Sequence, residues 1–223
     1  MLSGLVLLAL IGGAVWFLAL RDDEEAAPDL TESQLEDALL TKEDLGDGYT
    51  EDSEDDDTDE ISPDDLDTSD ECKDLIGRFE GDDAANSTAK RKFASGELAE
   101  RQSFTHEISV PSEDSPDFGV LVDVVDKCAE VSFDAGEAVG KVRISEGDSP
   151  PIGDRAFAMD LVVEITEPLT LEITSQIIFW ERDRLISSVQ ADGSVDGAPD
   201  ADLLLEMAEL ADERLVEVLE QAG

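Results

Sequence analysis

The hydrophobic and polar positions of this chain change their spacing several times, and each spacing predicts a different element. Residues 2–20 are uncharged and almost wholly apolar, and an acidic stretch follows them directly. A helix rises about 1.5 Å per residue, so roughly 20 apolar residues span the hydrocarbon core of a bilayer. The run therefore predicts a transmembrane anchor over residues 1–21, with residues 22–29 as an acidic linker.

A cleavable secretory signal is the alternative interpretation of residues 1–21. Such a signal has a basic start, an apolar stretch of roughly 7–15 residues and a small-residue cleavage site. Here the apolar stretch is longer and only Met1 precedes it. No cysteine follows the stretch closely, which excludes a lipoprotein anchor. We favour the uncleaved anchor.

Apolar residues spaced three and four apart predict the helices of the remaining chain. Thr31 to Gln34 has the pattern of a capping box, and residues 41–45 form a second short helical turn. Ser62-Pro63 has the pattern of another helix start, with the serine as cap and the proline at the first helical position. Two further helices are predicted over residues 117–128 and, as a long amphipathic stripe, over residues 201–221.

Alternating apolar and polar residues predict the strands. These strands cover residues 102–110, 142–144, 156–165, 169–180 and 185–191, and the tight turn at residues 181–184 joins the last two as a hairpin. We therefore predict an α+β domain over residues 30–223, with a mostly antiparallel sheet and helices packed on one face. Near residues 51–61 the chain is almost entirely acidic or hydroxylated, which predicts a disordered loop.

The charge balance is extreme, because 58 Asp and Glu residues stand against 15 Lys and Arg residues, for a net charge of −43. Such a chain repels phosphate backbones, so nucleic acid is excluded as a partner. Two explanations remain, namely adaptation of a folded domain to high salt or the ordinary acidity of a secreted protein. A disordered acidic tail is disfavoured, because 41% of the residues are hydrophobic and supply a core. Of the two remaining explanations we favour halophilic adaptation, in which a carboxylate-covered surface keeps a folded domain soluble in high salt.

The two cysteines, Cys72 and Cys128, fit no CxxC or Cys/His metal spacing. One disulfide is the simplest interpretation if the domain lies outside the cytoplasm. Two separate buried thiols are the alternative. Together with the anchor, the disulfide predicts a single-pass protein of the cell membrane whose C-terminal domain is extracytoplasmic.

Several segments occur in an order that suggests a family. Residues 39–50 read Leu-Leu-Thr-x-x-Asp-Leu-x-x-Gly-Tyr-Thr, and widely spaced cysteines, an antiparallel sheet and a terminal helix with Ala-Asp-Glu-Arg-Leu at residues 211–215 follow. This layout resembles the extracellular sensor-type domain of actinobacterial serine/threonine kinases and their stand-alone secreted or membrane-anchored relatives. The chain departs from the kinases in carrying no kinase domain and one cysteine pair where two are expected. The resemblance implies a ligand-binding module outside the cell, with no settled ligand.

One loop has part of a calcium-binding pattern. Asp192, Ser194, Asp196 and Asp200 place oxygen ligands at loop positions 1, 3, 5 and 9, with a glycine at position 6. Position 12 is Leu203, where a bidentate glutamate is needed. The alternative is a plain connection whose Asp200 caps the last helix.

A few other side chains are candidate contacts. Lys90, Arg91 and Lys92 form a basic cluster that either contacts an anionic ligand or partner or pairs with neighbouring acids. Trp180 is a candidate contact point if its strand exposes it. His106 lies on the apolar side of its strand, where a core histidine is a better interpretation than a ligand or a general base.

Nothing in the sequence predicts catalysis. There is no GxSxG and no Gly-rich phosphate loop, and carboxylate pairs arise by chance among 58 acids. We expect no enzyme activity and no cofactor. The expected function is a membrane-anchored, extracytoplasmic ligand-binding or sensor-like domain, whose partners are the membrane and an unknown small ligand or envelope protein. A structural envelope interaction protein without a small-molecule pocket is the alternative, and a secreted hydrolase comes third. An apolar cavity between sheet and helices would favour ligand binding.

Overall fold

The computed structural model describes residues 30–52, 66–79, 85–96, 101–111, 118–134, 138–194 and 197–222. The predicted anchor (residues 1–21), the linker (residues 22–29) and most of the predicted acidic loop near residues 51–61 lie outside the described residues. No helix within the described ranges combines the length and the apolar character that crossing a membrane requires.

Helices and strands are interspersed along the described part of the chain. The helices are α1 (Glu32–Ala38), α2 (Lys42–Leu45), α3 (Asp70–Phe79), α4 (Gly119–Lys127) and α5 (Ala201–Ala222). The strands are β1 (Tyr49–Glu51), β2 (Leu66–Asp67), β3 (Ala85–Ser95), β4 (Gln102–Pro111), β5 (Glu130–Asp134), β6 (Val139–Glu146), β7 (Arg155–Glu167), β8 (Leu171–Arg182) and β9 (Leu185–Asp192).

All nine strands form one sheet in the order β1-β3-β4-β9-β8-β7-β6-β5-β2, and the paired strands are antiparallel. The predicted hairpin is confirmed: β8 and β9 join through a tight turn with Asp183 and Arg184 at φ of 48° and 69°. Positive φ at both central residues matches the right-handed twist of the strands, which is why two-residue hairpin turns adopt it. The fold is therefore α+β with a mostly antiparallel sheet, as predicted.

The prediction that the helices pack on one face is wrong. Ile177 and Phe179 of β8 belong to the buried cluster that includes residues of α3 and α4. Ile178 and Trp180 belong to the cluster that includes residues of α5. Because successive side chains of a strand point to opposite faces, the two helix layers cover opposite faces of the sheet. The consecutive apolar residues 177–180 are typical of a strand covered on both faces, but they do not indicate which helix covers which face.

The helix starts are confirmed at the N-terminal end of the domain. Thr31 and Gln34 form the predicted capping box, in which the Thr31 N–H donates to Gln34 Oε1 at 2.9 Å. Residues 42–45 form the short α2, which Thr41 and Asp44 cap in the same way.

One helix start was misplaced. Ser62-Pro63 lies outside the described residues, but Leu66 and Asp67 form β2, which pairs with β5, and the helix starts only at Asp70. The pairing of β2 with a strand some 65 residues later is a long-range contact that local helix signals do not reflect.

Candidate functional site

The two cysteines form the predicted disulfide. Cys72 lies in α3, Cys128 directly follows α4, and their Cα atoms are 5.2 Å apart. Both cysteines are fully buried among the apolar side chains of that helix layer. The bond therefore joins α3 to the end of α4 within the buried cluster that these helices share with the sheet.

Two of the predicted calcium ligands already accept hydrogen bonds from the protein. Asp192 accepts from Gln190 Nε2 at 2.7 Å and from the Ser103 hydroxyl. Asp200 Oδ1 accepts from the backbone N–H groups of residues 202 and 203, both at 3.1 Å, so Asp200 caps α5 as the alternative interpretation proposed. Asp196 lies outside the described residues. No group of three or more His, Cys, Asp or Glu side chains within the described ranges is arranged to hold a metal ion. The calcium loop, including Ser194, stays a prediction.

Trp180 is not an exposed contact point, because its side chain is wholly buried. Its neighbour Phe179 is buried as well, since the helix layers cover β8 from both sides. Trp180 lies in the core under α5, where its ring stacks on His106 with centroids 6.1 Å apart.

The basic cluster is divided between the two faces of β3. Arg91 lies on the α5 side, where Nη1 donates to the Leu40 carbonyl at 2.7 Å and Nε lies 3.5 Å from a carboxylate oxygen of Glu51. Lys90 and Lys92 lie on the opposite face, because neighbouring strand residues alternate. The cluster is therefore not one continuous contact surface.

Lys90 and Lys92 belong to a polar row on the face of the sheet opposite α5. Lys90 stands opposite Glu107, and Glu107 stands opposite Ser188. One pair further along, Lys92 stands opposite Thr105, and Thr105 stands opposite Gln190. We call these six residues the polar sheet face: Lys90, Lys92, Thr105, Glu107, Ser188 and Gln190. The next residue across from Ser188 is Phe179, so this face borders the layer of α3 and α4.

Glu107 is the unusual member of the polar sheet face. It is 5% exposed, and its Oε1 has no hydrogen-bond partner among the described residues. Burial raises the pKa of Glu107 to about 8, although the nearby Lys90 ammonium acts in the opposite direction. At neutral pH this carboxyl is therefore mostly protonated, so it can both donate and accept a hydrogen bond. Ionisable groups with a strongly shifted pKa cluster at functional sites, although structural positions also produce them.

Sequence reasoning did not find Glu107. The alternation of β4 places it opposite the apolar side that carries His106, and a glutamate on a polar strand face is expected to be solvated. No local signal indicates that it is buried.

His106 is buried on the other face of β4, as predicted. Its Nδ1 accepts a hydrogen bond from the Leu40 N–H at 3.0 Å, and its Nε2 lies 3.1 Å from Ser187 Oγ. The pKa of His106 is lowered to about 3, mainly by burial and also by the positive charges of Arg214 and Arg91, while Asp44 acts in the opposite direction. The imidazole is therefore neutral at physiological pH.

A groove of about 290 Å³ lies between α1 and α5. Its lining is mostly polar or charged, and consists of Gln34, Asp37, Arg214, Glu217, Val218 and Gln221. This groove is not the apolar cavity between sheet and helices that would favour ligand binding.

No protein-family model matches this chain, and no curated protein matches it in sequence. Among solved structures, the chain is similar to the extracellular domain of PknH from Mycobacterium tuberculosis, with 11% identity and a TM-score of 0.51. That alignment covers 88% of this chain and 100% of the other. An uncharacterised protein from Mycobacterium smegmatis aligns with 17% identity over 87% of this chain and 96% of its own, with a TM-score of 0.40. The likeness to the PknH domain shows a shared fold.

Proposed function

We propose that this chain is a membrane-anchored, extracytoplasmic, sensor-like domain that binds a ligand and does not catalyse a reaction. The observation that carries the proposal is the fold shared with the extracellular domain of PknH over nearly the whole of that domain. The apolar run at residues 2–20 supports an anchor, because its length matches a bilayer-spanning helix.

The disulfide supports the extracytoplasmic location. Disulfides persist in oxidising compartments and are rare where thiols are kept reduced. Cys72 and Cys128 are both fully buried, whereas regulatory thiols are typically exposed to solvent. A structural disulfide in a domain outside the cytoplasm accounts for both facts.

The polar sheet face is the best candidate for the ligand contact. It presents ammonium, hydroxyl and amide groups together with the mostly protonated carboxyl of Glu107. Such a set favours a polar ligand that both donates and accepts hydrogen bonds. An apolar ligand has less support, because the groove between α1 and α5 is mostly polar.

Among the described residues, the contact between Ser187 and His106 supports a non-catalytic role, since its hydrogen bonds run in the wrong direction for a nucleophile. A catalytic histidine receives the serine proton on Nε2 while Nδ1 donates to an orienting carboxylate. In His106, Nδ1 accepts from the Leu40 N–H, so Nε2 carries the proton and donates it to Ser187 Oγ. Both side chains are also buried, out of reach of a substrate.

Two measurements on the full chain test the proposal. Thiol blocking before lysis is expected to leave Cys72 and Cys128 joined, in protein recovered with the membrane fraction. Free thiols together with recovery from the cytosol would contradict the anchor and the location.

Mass spectrometry of the protein purified from its native membrane tests the ligand. A small polar molecule is expected to co-purify with the wild type and to be lost from Ser188→Ala. Ser132→Ala, a matched change on β5 away from the polar sheet face, is expected to retain it. Equal retention by both variants would show that the polar sheet face does not bind the molecule.

A structural envelope interaction protein is the second candidate. The observation in its favour is that buried apolar side chains occupy the interfaces between the described helices and the sheet. Co-purification of an envelope protein, with no small molecule, would favour this alternative.

A further inference from the structure

We infer that residues 39–45 form a strap whose docking onto the sheet is released when His106 takes up a proton. The strap follows α1, contains α2 and leads into β1. Acid control of this segment goes beyond ligand binding, because it depends on the face of the sheet opposite the polar sheet face.

Side chains from three distant elements hold the main chain of the strap. His106 of β4 accepts from the Leu40 N–H at 3.0 Å, and Arg91 of β3 donates to the Leu40 carbonyl at 2.7 Å. Arg214 of α5 donates to the Leu39 carbonyl at 2.9 Å. Leu39 and Leu40 lack a regular helix or strand partner at these groups, so these three bonds satisfy buried backbone polar groups that folding removes from water.

A second proton on His106 is incompatible with the docked strap. Since Nδ1 accepts a hydrogen bond, the single proton of the neutral ring is on Nε2, which donates to Ser187 Oγ. The Ser187 hydroxyl in turn donates to the Glu107 carbonyl at 3.3 Å. In the imidazolium form Nδ1 also carries hydrogen, so two donors would face each other at Nδ1 and the Leu40 N–H.

The charges around His106 oppose protonation as well. Arg91 of β3 and Arg214 of α5 both lower its pKa, whereas Asp44 of α2 raises it. Arg214 also pairs with Asp44 at 2.7 Å, which partly satisfies that carboxylate. The neighbouring strands contribute the uncharged Trp180 and Ser187. Releasing the strap removes the favourable charge of Asp44, but it also admits water, which solvates the imidazolium and screens the charges of Arg91 and Arg214.

The size of the effect follows from the two states. Docked, the pKa of His106 is about 3, and released it returns toward the ordinary 6.5. Between neutral pH and about pH 4.5, the ratio of released to docked strap is therefore expected to rise on the order of 10²-fold.

Hydrogen exchange of the full chain tests the inference. After correction for the intrinsic pH dependence, protection of the Leu40 amide and of α2 is expected to fall on the order of 10²-fold between pH 7 and about pH 4.5. Protection of α5 and β8 serves as the internal reference for global unfolding. If the strap loses protection only when α5 and β8 also lose it, the loss reflects global unfolding and the inference is overturned.

His106→Gln is the matched control. Its amide oxygen can accept from Leu40 and its NH₂ can donate to Ser187, but it does not titrate. This variant is expected to keep the strap protected at about pH 4.5, and an acid-induced loss equal to that of the wild type would overturn the inference.

If His106→Gln does not fold, the wild-type imidazole supplies the second measurement. His106 is the only histidine of the sequence, so its ¹⁵N resonances are unambiguous. The ring of the docked protein is expected to titrate near pH 3, while strap protection falls progressively as the pH drops below 6.5. A ring that titrates near pH 6.5 while the strap stays protected would overturn the inference.

Discussion

Replacing Glu107 with glutamine tests whether a buried, mostly protonated carboxyl reduces the stability of this domain at neutral pH. The pKa of Glu107 is raised from 4.5 to about 8 in the folded protein. The folded state therefore binds this proton more tightly than the unfolded state does. Its stabilising effect is complete below pH 4.5 and is lost as the pH rises through 8.

The magnitude follows from these two pKa values. Between pH 5 and pH 7, Glu107 ionises in the unfolded state but stays mostly protonated in the folded state. This difference lowers the free energy of unfolding of the wild type by about 2.5 kcal/mol. Glutamine has nearly the same shape as the neutral acid and does not ionise. The stability of Glu107→Gln relative to the wild type is therefore expected to increase by about 2.5 kcal/mol over this interval. His106 titrates in the opposite direction in the same interval, but both proteins carry it, so it cancels in the difference.

Urea unfolding followed by circular dichroism, at constant salt and at pH 5, 6, 7 and 8, measures this difference. The control is Glu164→Gln, since Glu164 is a partly exposed acid whose pKa Arg143 and Lys141 lower through hydrogen bonds. The control is expected to show no pH-dependent gain in this interval, because Glu164 is ionised in both states. Parallel curves for Glu107→Gln and the wild type from pH 5 to pH 8 would refute the reasoning.

Three further predictions concern stability. Removing the disulfide with Cys72→Ala and Cys128→Ala, which are 56 residues apart, is expected to lower the free energy of unfolding by about 4 kcal/mol, measured by urea denaturation. An unchanged midpoint would contradict the cross-link. Gly140→Ala is expected to lower the melting temperature, with a cost of about 1–3 kcal/mol, because its Cβ would lie 2.3 Å from the Glu164 carbonyl oxygen and 2.5 Å from Phe133 Cζ. Gly46→Ala is the comparison variant: its Cβ meets no atom within 4 Å, but Gly46 has a positive φ. The two variants therefore separate the effect of a steric clash from that of backbone strain. Stability is expected to rise from low to molar salt, since the net charge is −43, and a flat salt dependence would leave halophilic adaptation without support.

Features that depend on neighbours in the chain were predicted well. The capping box at Thr31 and Gln34, the short helix after Thr41, the hairpin at residues 181–184 and the long stripe of α5 all occur where their patterns placed them. Each of these depends on contacts between residues that are at most a few positions apart. Propensity, capping and turn chemistry therefore suffice to predict them.

Features that depend on which distant element covers a face were not predicted. β2 formed inside a segment with helix signals because β5 lies beside it. Trp180 was a candidate contact, yet both faces of β8 are covered, by α5 on one side and by the layer of α3 and α4 on the other. The alternation of apolar and polar residues along a strand does not indicate which helix packs on which face of the sheet.

The amino-acid sequence alone determined the apolar run, the extreme negative charge, the two cysteines and most helices and strands. The tertiary structure decided the chemistry of two adjacent residues. His106 and Glu107 point to opposite faces of β4, and both lose contact with water. Burial disfavours the charged form of each, so the pKa of the histidine falls while that of the glutamate rises. The physical reason is that desolvation depends on elements far away in the sequence, and no local pattern encodes their position.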